Sequence, residues 1–575
     1  MHRVPQRRAE MSASREASLA LVAQYRAASR FDEAAQVCHS LLKIDRRDTE
    51  VILLMGAMCC DVGLFDGARQ LLEEALAIKP TFLDARRQLA VALRSLGRTA
   101  LLSGDAPTAA IRLTAALTYD AGHADTLNCL GLAQLQLGRH KDAEASLSAA
   151  LRLRPELIQA RNNLALSLQY QGRLNEARVN FEETVARDPT YMRARVNLAN
   201  VLRIQGSHTA SRRELETVLA VQPEATDALN SLAAVFQDLG QPELALETLT
   251  RALALDPTVP QIRWNLAMTQ LVLGDYANGW NNFESRWDGC DSLKGAYRMP
   301  KHQAWRGESL QGRRLLLWAE QGFGDTLQFI RFAKNAADQG AVVSIEVQPE
   351  LATLARTAPG VSAVIPHGQS LPPYDFHCPL MSLPHFLRLL PTVSASHGTT
   401  PYLFARPANV ETWRGRLNGH GGLKVGLAWA GRSRSYSAEL IAVDARRSFS
   451  LKALEPLLHI PGCSFFSLQK PGTVAAPVHD YSSEWTDFAD TAAFVTNLDL
   501  VITVDTAVAH LAGALGKPVW LLNRYDTCWR WLLGRSDSPW YGTVRQFRQA
   551  EPGAWGAVIQ AVAAALAAQV ESRSC

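Results

Sequence analysis

The chain has 575 residues, of which 47% are hydrophobic and 20% are charged, and its formal net charge is +4. Such a length exceeds what one hydrophobic core accommodates, so we expect several domains. The small net charge gives no argument for nucleic-acid binding or a polybasic membrane anchor. The nine cysteines are scattered, without a Cys-x-x-Cys pair or metal-ligand spacing, which favours a reducing compartment.

The first segment, residues 1–14, is predicted to be a basic tail. It lacks the apolar stretch of a secretory signal. No run in the sequence approaches the ~18–20 apolar residues of a membrane span. We therefore expect a cytoplasmic protein without a membrane-spanning helix.

A 34-residue period dominates the first half of the chain. The glycines in phase are Gly138, Gly172, Gly206, Gly240 and Gly274, and the prolines in phase are Pro155, Pro189, Pro223 and Pro257. Each period predicts two antiparallel helices, turned at the glycine and ended at the proline. Counted from Arg15, the frame holds about eight units over residues 15–293. One unit carries seven extra residues between Gly97 and Gly104, which predicts a lengthened helix because seven residues are close to two helical turns.

The repeated units resemble the tetratricopeptide-repeat family. Within one unit, Leu164, Gly172, Ala177, Phe181 and Pro189 fall where that family places its packing and turn residues. The resemblance implies an all-α superhelix whose groove binds a protein or peptide.

Asparagines recur one residue before the repeated leucine of the first helix. They are Asn163, Asn197 and Asn265. Such a ladder can hydrogen-bond the backbone of an extended peptide, so these three are candidate acceptor-binding residues. The alternative is that they are polar positions satisfied by water or by neighbouring side chains.

After a linker at residues 294–312 the period disappears. Short apolar runs then alternate with helical stretches, in a block at residues 313–418 and a second at residues 419–575, which predicts parallel sheets. We expect two Rossmann-like domains facing a cleft, with a closing helix at the end of the second.

The stretch WAEQGFGDTLQF, residues 318–329, predicts a strand, a tight turn and a helix that opens at Asp325. Gly322 and Gly324 allow a substrate to approach the backbone closely, or simply form the turn. Asp325 either caps the helix or is a carboxylic acid that takes part in catalysis.

The stretch LDLVITVDTAVAHLAGALGKPVWLL, residues 498–522, predicts a buried strand followed by a helix. Asp505, Thr506 and Ala507 lie at the turn, where ligands of open α/β sheets bind and where helix N–H groups attract phosphate. A plain turn with capping residues is the alternative.

The second stretch resembles the donor-binding motif of glycosyltransferase family 9, the bacterial heptosyltransferases, in which Asp505, Thr506, His510 and the Gly-x-Pro turn recur at fixed spacing. That resemblance implies a GT-B module that binds a nucleotide-sugar at residues 419–575 and uses Asp325 as the base on the acceptor side. It further implies phosphate contacts from Thr506, Ala507 and His510, from Arg447 or its neighbour Arg446, and from Lys470. Two departures are the long segment NRYDTCWRWLLGRSDSPWY and the repeat array, a combination similar to the architecture of O-GlcNAc transferase.

The predicted function is therefore a glycosyltransferase that moves a sugar from a nucleotide-sugar to a protein or glycan selected by the repeats. No Asp-x-Asp motif occurs, so we expect no metal and no cofactor beyond the donor substrate. By resemblance the reaction inverts the anomeric centre. The competing hypothesis is a non-catalytic repeat scaffold with a degenerate GT-B domain.

Overall fold

The computed structural model describes residues 3–389, 401–431, 438–470, 474 and 476–574. The chain divides into two compact units, Met1–Val201 and Leu202–Cys575. The described residues of the first unit, 3–201, form helices and the turns that connect them. The second begins inside a repeat helix and includes both parallel sheets.

Residues 3–289, described without a gap, form seventeen helices. These are α1 (Arg3–Ala27), α2 (Phe31–Ile44), α3 (Thr49–Asp61), α4 (Phe65–Ile78), α5 (Leu83–Leu102), α6 (Ala106–Tyr119), α7 (Ala124–Gln136), α8 (His140–Leu153), α9 (Ile158–Tyr170), α10 (Leu174–Arg187), α11 (Met192–Ile204), α12 (His208–Val221), α13 (Thr226–Asp238), α14 (Pro242–Leu255), α15 (Pro260–Val272), α16 (Tyr276–Phe283) and α17 (Arg286–Gly289). The predicted helical repeats are thus confirmed. The first helix starts at Arg3, within the segment predicted to be a tail.

The lengthened unit is one long helix, as predicted. Helix α5 has 20 residues, whereas α7, its counterpart in the next unit, has 13. Gly104 makes the turn with φ +79°, a backbone conformation that favours glycine. Gly97 is buried inside α5, where an added Cβ would lie 2.6 Å from Cγ of Leu113, so it permits close helix packing.

Ten strands follow in the described part of the second unit. They are β1 (Arg314–Trp318), β2 (Val342–Val347), β3 (Val361–Pro366), β4 (Phe376–Pro379), β5 (Leu423–Ala428), β6 (Cys463–Ser467), β7 (Val478–His479), β8 (Leu500–Val504), β9 (Val519–Asn523) and β10 (Val544–Arg548). One sheet has the order β3-β2-β1-β4 and the other β10-β9-β8-β5-β6-β7, and every pairing within them is parallel. In each sheet the order reverses beside the first strand, between β1 and β4 and between β5 and β8. Such switch points are where open α/β sheets bind ligands.

The helices of this region complete the βα units. They are α18 (Phe323–Phe329), α19 (Ala333–Asp338), α20 (Ala352–Ala355), α21 (Leu383–Phe386), α22 (Pro407–Leu417), α23 (Ala438–Arg446), α24 (Glu455–Leu458), α25 (Phe488–Thr496), α26 (Ala507–Ala514) and α27 (Trp555–Ser574). The expected closing helix is α27, whose Val562 and Leu566 are buried against the larger sheet.

One hydrophobic core joins the last repeat helices to both sheets. Trp280 of α16 is 2% exposed, and its ring contacts Phe329 at 5.8 Å and Trp529 at 5.3 Å between centroids. The same core contains Leu315 and Leu317 of β1 and Val501 of β8. These elements therefore bury their apolar surface in one another. Within the part of the chain that the structure describes, no helix is both long and apolar enough to cross a membrane.

Candidate active site

The turn after β1 holds Asp325 on the first turn of α18. The helix begins at Phe323, not at Asp325 as predicted, and Gly322 is its N-cap residue. The Asp325 carboxylate reaches back, and its Oδ2 accepts a hydrogen bond from the Gly322 backbone N–H at 3.0 Å. The capping role therefore exists, but it acts from inside the helix because the glycine at the cap has no side chain.

The other carboxylate oxygen of Asp325 is bound by Arg530. Nη2 of Arg530 donates to Oδ1 of Asp325, and the two side chains are 13% and 19% exposed. Nε of the same guanidinium donates to Oε1 of Gln328 at 2.9 Å, and the group lies 4.2 Å from the Trp529 ring centroid. Arg530 belongs to the long segment between β9 and β10, so the two halves of the α/β region meet at Asp325.

The turn after β8 brings three of the predicted residues to the switch point of the larger sheet. Thr506 is the N-cap residue of α26, without a capping bond from its side chain, and Ala507 is the first helical residue. Oγ1 of Thr506 lies 3.2 Å from Oγ1 of Thr503. Burial raises the pKa of Asp505, but the net shift is downward, and the Arg447 guanidinium is among the groups that favour the ionised carboxyl.

His510 and Gly324 make the direct contact between α26 and α18. An added Cβ at Gly324 would lie 2.9 Å from Cδ2 of His510, so only glycine leaves room for the ring. Nδ1 of His510 is 2.9 Å from the Tyr541 hydroxyl, and the imidazole stacks on Trp531 at 5.3 Å. Burial lowers the pKa of His510 to about 3, against the opposing effect of Asp505. At neutral pH the ring is therefore uncharged, a hydrogen-bonding group rather than a cation for phosphate.

This buried neutral histidine predicts an acid-sensitive fold. The unfolded chain binds a proton near pH 6.5, but the folded chain holds His510 neutral down to about pH 3. Stability from this group is complete above pH 6.5 and falls by up to about 1.4 kcal/mol per pH unit below it. His510→Gln should remove that slope between pH 6 and 4 in urea titrations, whereas the exposed His459→Gln should keep it. Equal slopes in wild type and His510→Gln would contradict the assignment.

The structure separates the two arginines that the sequence left as alternatives. Arg446 pairs with Asp526 at 2.9 Å and lies 3.7 Å from Asp238 of repeat helix α13. Arg447 instead donates from Nη1 to the Asp505 backbone carbonyl at 2.8 Å and pairs with Asp444 at 2.6 Å. Only Arg447 therefore lies at the switch point between β5 and β8.

Lys470 follows β6, at the same edge of the larger sheet. Its Nζ donates to the Trp485 backbone carbonyl at 2.6 Å. Close by, Oε1 of Gln469 accepts from the Ala430 N–H at 3.1 Å, which ties the ends of β5 and β6 together. A ligand phosphate would have to draw Lys470 from that carbonyl.

The repeated asparagines are bonded to asparagines of the preceding unit. Nδ2 of Asn163 donates to Oδ1 of Asn128 at 3.0 Å, and Asn197 donates in the same way to Asn162 at 3.0 Å. Asn265 donates to Asn230 at 2.8 Å. Each predicted residue thus has a neighbour as partner, the alternative that the sequence left open. One amide N–H per donor remains for other partners.

Asn162 should contribute most to this ladder, because it is 1% exposed and serves two neighbours. In Asn162→Ala we expect local stability around α9 to fall by about 1–3 kcal/mol, since the amide of buried Asn163 and that of partly buried Asn197 lose their partner. Native-state hydrogen exchange of the α9 amides measures this loss. Asn180→Ala, whose side chain bonds only the carbonyl four residues back, is the control and should change protection by less than about 0.5 kcal/mol.

The switch point of the smaller sheet is filled by a side chain of the repeat region. Arg286 of α17 is completely buried and lies 2.9 Å from Glu320, which follows β1. Its Nη2 also donates to the Ser382 hydroxyl at 2.8 Å, and Nη1 lies 2.8 Å from Glu284. Burial raises the pKa of Glu320 to about 7, although the Arg286 guanidinium opposes this shift. Repeat region and sheet are thus joined by a desolvated ion pair.

Sequence reasoning missed Arg530, Arg286 and Glu320. Arg530 lies in a stretch without periodicity, and the carboxylates that Arg530 and Arg286 bind in the α/β region are 205 and 34 residues away in sequence. Glu320 lies in the quoted β1 turn, and its position directly after a strand was an available signal. Across the residues that the structure describes, no cluster of three or more His, Cys, Asp or Glu could hold a metal ion.

A comparison with protein families supports the prediction of helical repeats. The tetratricopeptide-repeat family model matches residues 95–158, 162–219 and 230–279. Protein FlbA of Caulobacter vibrioides is 31% identical over 327 residues, which are 52% of this chain and 53% of FlbA. The chain thus spans about half the length of this curated relative.

Several solved structures are similar to part of this chain. A crystal structure of the type IV pilus biogenesis factor PilW is 19% identical, covering 37% of this chain and 99% of PilW with a TM-score of 0.32. PilF of Pseudomonas aeruginosa is 20% identical, covering 37% and 95% with a TM-score of 0.28. MamA is 20% identical, covering 29% and 92% with a TM-score of 0.26. The family model identifies the 34-residue units within residues 95–279 as tetratricopeptide repeats.

Proposed function

We propose that this chain is a GT-B glycosyltransferase that transfers a sugar from a nucleotide-sugar to a hydroxyl of a protein or glycan selected by the tetratricopeptide repeats. One observation carries the proposal. The Gly324–Asp325 turn and the start of α26, far apart in sequence, lie side by side: a Cβ at Gly324 would be 2.9 Å from Cδ2 of His510 and 3.7 Å from Cα of Ala507. The Asp325 turn follows β1 of the smaller sheet, and the Asp505–Thr506 turn follows β8 of the larger sheet. Each of these strands borders the switch point of its parallel sheet.

The donor fits the larger sheet best. Its strand order from β7 to β10 is that of a nucleotide-binding α/β fold, and the β5–β8 switch point ends in the Asp505–Thr506 turn. Free N–H groups at the start of α26 and the Arg447 guanidinium are suitable partners for a diphosphate. Lys470 lies at the end of the adjacent strand β6 and can reach the same anion once it leaves Trp485.

Asp325 is the base in this mechanism. Its carboxylate accepts the proton of the acceptor hydroxyl while the acceptor oxygen bonds to the anomeric carbon. The bond from that carbon to the phosphate oxygen breaks, and its electron pair leaves with the nucleoside diphosphate. Cationic side chains and helix N–H groups stabilise the leaving anion without a metal. Attack opposite the leaving group inverts the anomeric centre.

In this proposal the acceptor binds beside Asp325 but not at the β1–β4 switch point. The switch point between β1 and β4, which a small acceptor would use, holds Arg286 and Glu320 instead. The repeats supply the remaining recognition surface. The asparagine ladder there retains one N–H per donor amide, enough to bind peptide carbonyls.

A thermal-shift panel tests the proposal. The full chain is melted with ADP, UDP, GDP and CDP and with sugar conjugates of each. A ligand at ~100 times its dissociation constant should stabilise the binding unit by about 2.7 kcal/mol. The shift should vanish in Thr506→Trp and persist in Thr412→Trp, a control on the exposed face of α22.

Either outcome is informative. A selective shift with one base identifies the donor nucleotide and justifies a search for the acceptor. If no nucleotide shifts the melting temperature, the catalytic proposal is refuted and the non-catalytic repeat scaffold takes its place.

A further inference from the structure

Arg530 is a cation held at the junction of the two α/β halves by a single carboxylate. Its guanidinium contacts Asp325, Gln328 and the Cys528 sulfur, the last from Nη1 at 3.2 Å. Of these partners only Asp325 carries a full charge. The Trp529 ring keeps the guanidinium plane in place from one side, at 4.2 Å.

Arg530 is also within electrostatic range of the proposed donor site. Burial lowers its pKa, but the Asp325 carboxylate, followed by Cys528 and Asp505, has the larger opposite effect, so the net shift of the pKa is upward and the group stays charged. Asp505 marks the β8 turn at which α26 begins. Arg530 thus binds the proposed base directly, and Asp505 is near enough to act on its charge.

A diphosphate is a stronger partner for this guanidinium than one carboxylate. It offers more negative charge and paired oxygens that match the two-pronged donor geometry of arginine. Arg530 lies between β9 and β10 and belongs to neither, so a change in its side-chain torsions would redirect the guanidinium without moving a strand.

We propose that Arg530 is a further catalytic residue that changes partner: it binds Asp325 in the unliganded chain and the donor diphosphate once the nucleotide-sugar is bound. This inference rests on the proposed function. When Arg530 leaves Asp325, Oδ1 becomes free to accept the acceptor proton, and the same arginine neutralises the charge that develops on the leaving diphosphate. The base is thus uncovered only when a donor is in place, which imposes donor-before-acceptor binding.

The inference predicts an unusual effect on ligand affinity. In Asp325→Asn the amide still accepts from Gly322 N–H, but it no longer holds Arg530 by charge. Arg530 is then available without first breaking an ion pair, so the nucleoside diphosphate should bind about tenfold more tightly than to wild type. In Arg530→Gln the same diphosphate should bind at least about tenfold more weakly, and adding Asp325→Asn should then have no effect.

Isothermal titration of the full chain with UDP, GDP, ADP, CDP and inorganic pyrophosphate measures these affinities. Arg535→Gln is the matched control, because Arg535 lies in the same segment but pairs with Asp537 at 2.7 Å, where the carboxylate is 59% exposed. It should leave the affinity unchanged. Melting curves verify folding, and Arg530→Lys replaces Arg530→Gln if the latter does not fold.

The outcomes separate the two proposals. Diphosphate binding to wild type with unchanged or weaker binding to Asp325→Asn overturns the Arg530 inference and leaves the donor site intact. Tighter binding to Asp325→Asn that survives in the Arg530→Gln background also overturns it. If no diphosphate binds wild type or Asp325→Asn, both the proposed function and the inference are refuted.

Discussion

Replacing Arg286 with methionine should lower the free energy of unfolding of the Leu202–Cys575 unit by about 3–5 kcal/mol, because it leaves a buried carboxylate without its counter-charge. Arg286 is fully buried and Glu320 is 1% exposed at its side chain, so water cannot replace the lost guanidinium. The loss should be smaller at pH 5 than at pH 8, because Glu320, whose pKa is raised to about 7 by burial, can be protonated at the lower pH.

Tryptophan fluorescence during urea unfolding measures this loss selectively. All thirteen tryptophans lie between residues 264 and 555, inside the second unit. Lys294→Met is the control, since the exposed pair of Lys294 and Asp291 should contribute no more than about 1 kcal/mol. The double variant Arg286→Met/Glu320→Leu should recover most of the stability, as apolar replacements of buried ion pairs often do. A loss below about 1 kcal/mol for Arg286→Met alone would show that the pair does not support the fold.

Asp325→Asn should lower the rate of sugar transfer by about 10²–10⁴-fold, the range expected for loss of a general base. The asparagine keeps the hydrogen bond from Gly322 N–H, so the first turn of α18 should remain folded. Single-turnover transfer from a labelled nucleotide-sugar gives the chemical step directly, once the donor nucleotide is known from the thermal-shift panel.

The matched control is Asp338→Asn, on the exposed end of α19, where Asp338 pairs only with Lys334. It should transfer at the wild-type rate. Transfer at that rate by Asp325→Asn would remove Asp325 from the mechanism, even if the nucleotide still bound.

Much of the architecture could be predicted because it follows from patterns of residues that recur at regular spacing in the sequence. The 34-residue repeat predicts helical pairs, and the alternation of apolar strands with helices predicts parallel sheets. Two glycines of the lengthened unit fit the period, but only Gly104 forms a turn. The structure explains why: Gly97 occupies the helix-packing position that Gly131 occupies one period later, and both face a leucine of the following helix.

The site was predictable only in part, for a physical reason. Asp325, Asp505 and Thr506 follow strands, and the ends of parallel strands are visible in sequence as the end of an apolar run. Arg530 follows no such rule, because its position depends on how a long segment folds back onto α18. Long-range ion pairs of this kind have no sequence spacing to detect. The start of α18 was also misplaced, since the glycine at its cap carries no side-chain signal.

The Arg286–Glu320 pair also limits how such a protein can arise by recombination. A gene fusion that joined repeats to an α/β module anywhere between Gly289 and Arg314 would separate the arginine from its glutamate. The incoming module would then carry an uncompensated buried carboxylate, and selection would act against it. Successful exchange of modules has to move the final helices together with the sheets, whereas units can be gained or lost upstream without touching this pair. The segment that can be exchanged as one module therefore begins inside the repeats and includes the last repeat helices as well as the sheets.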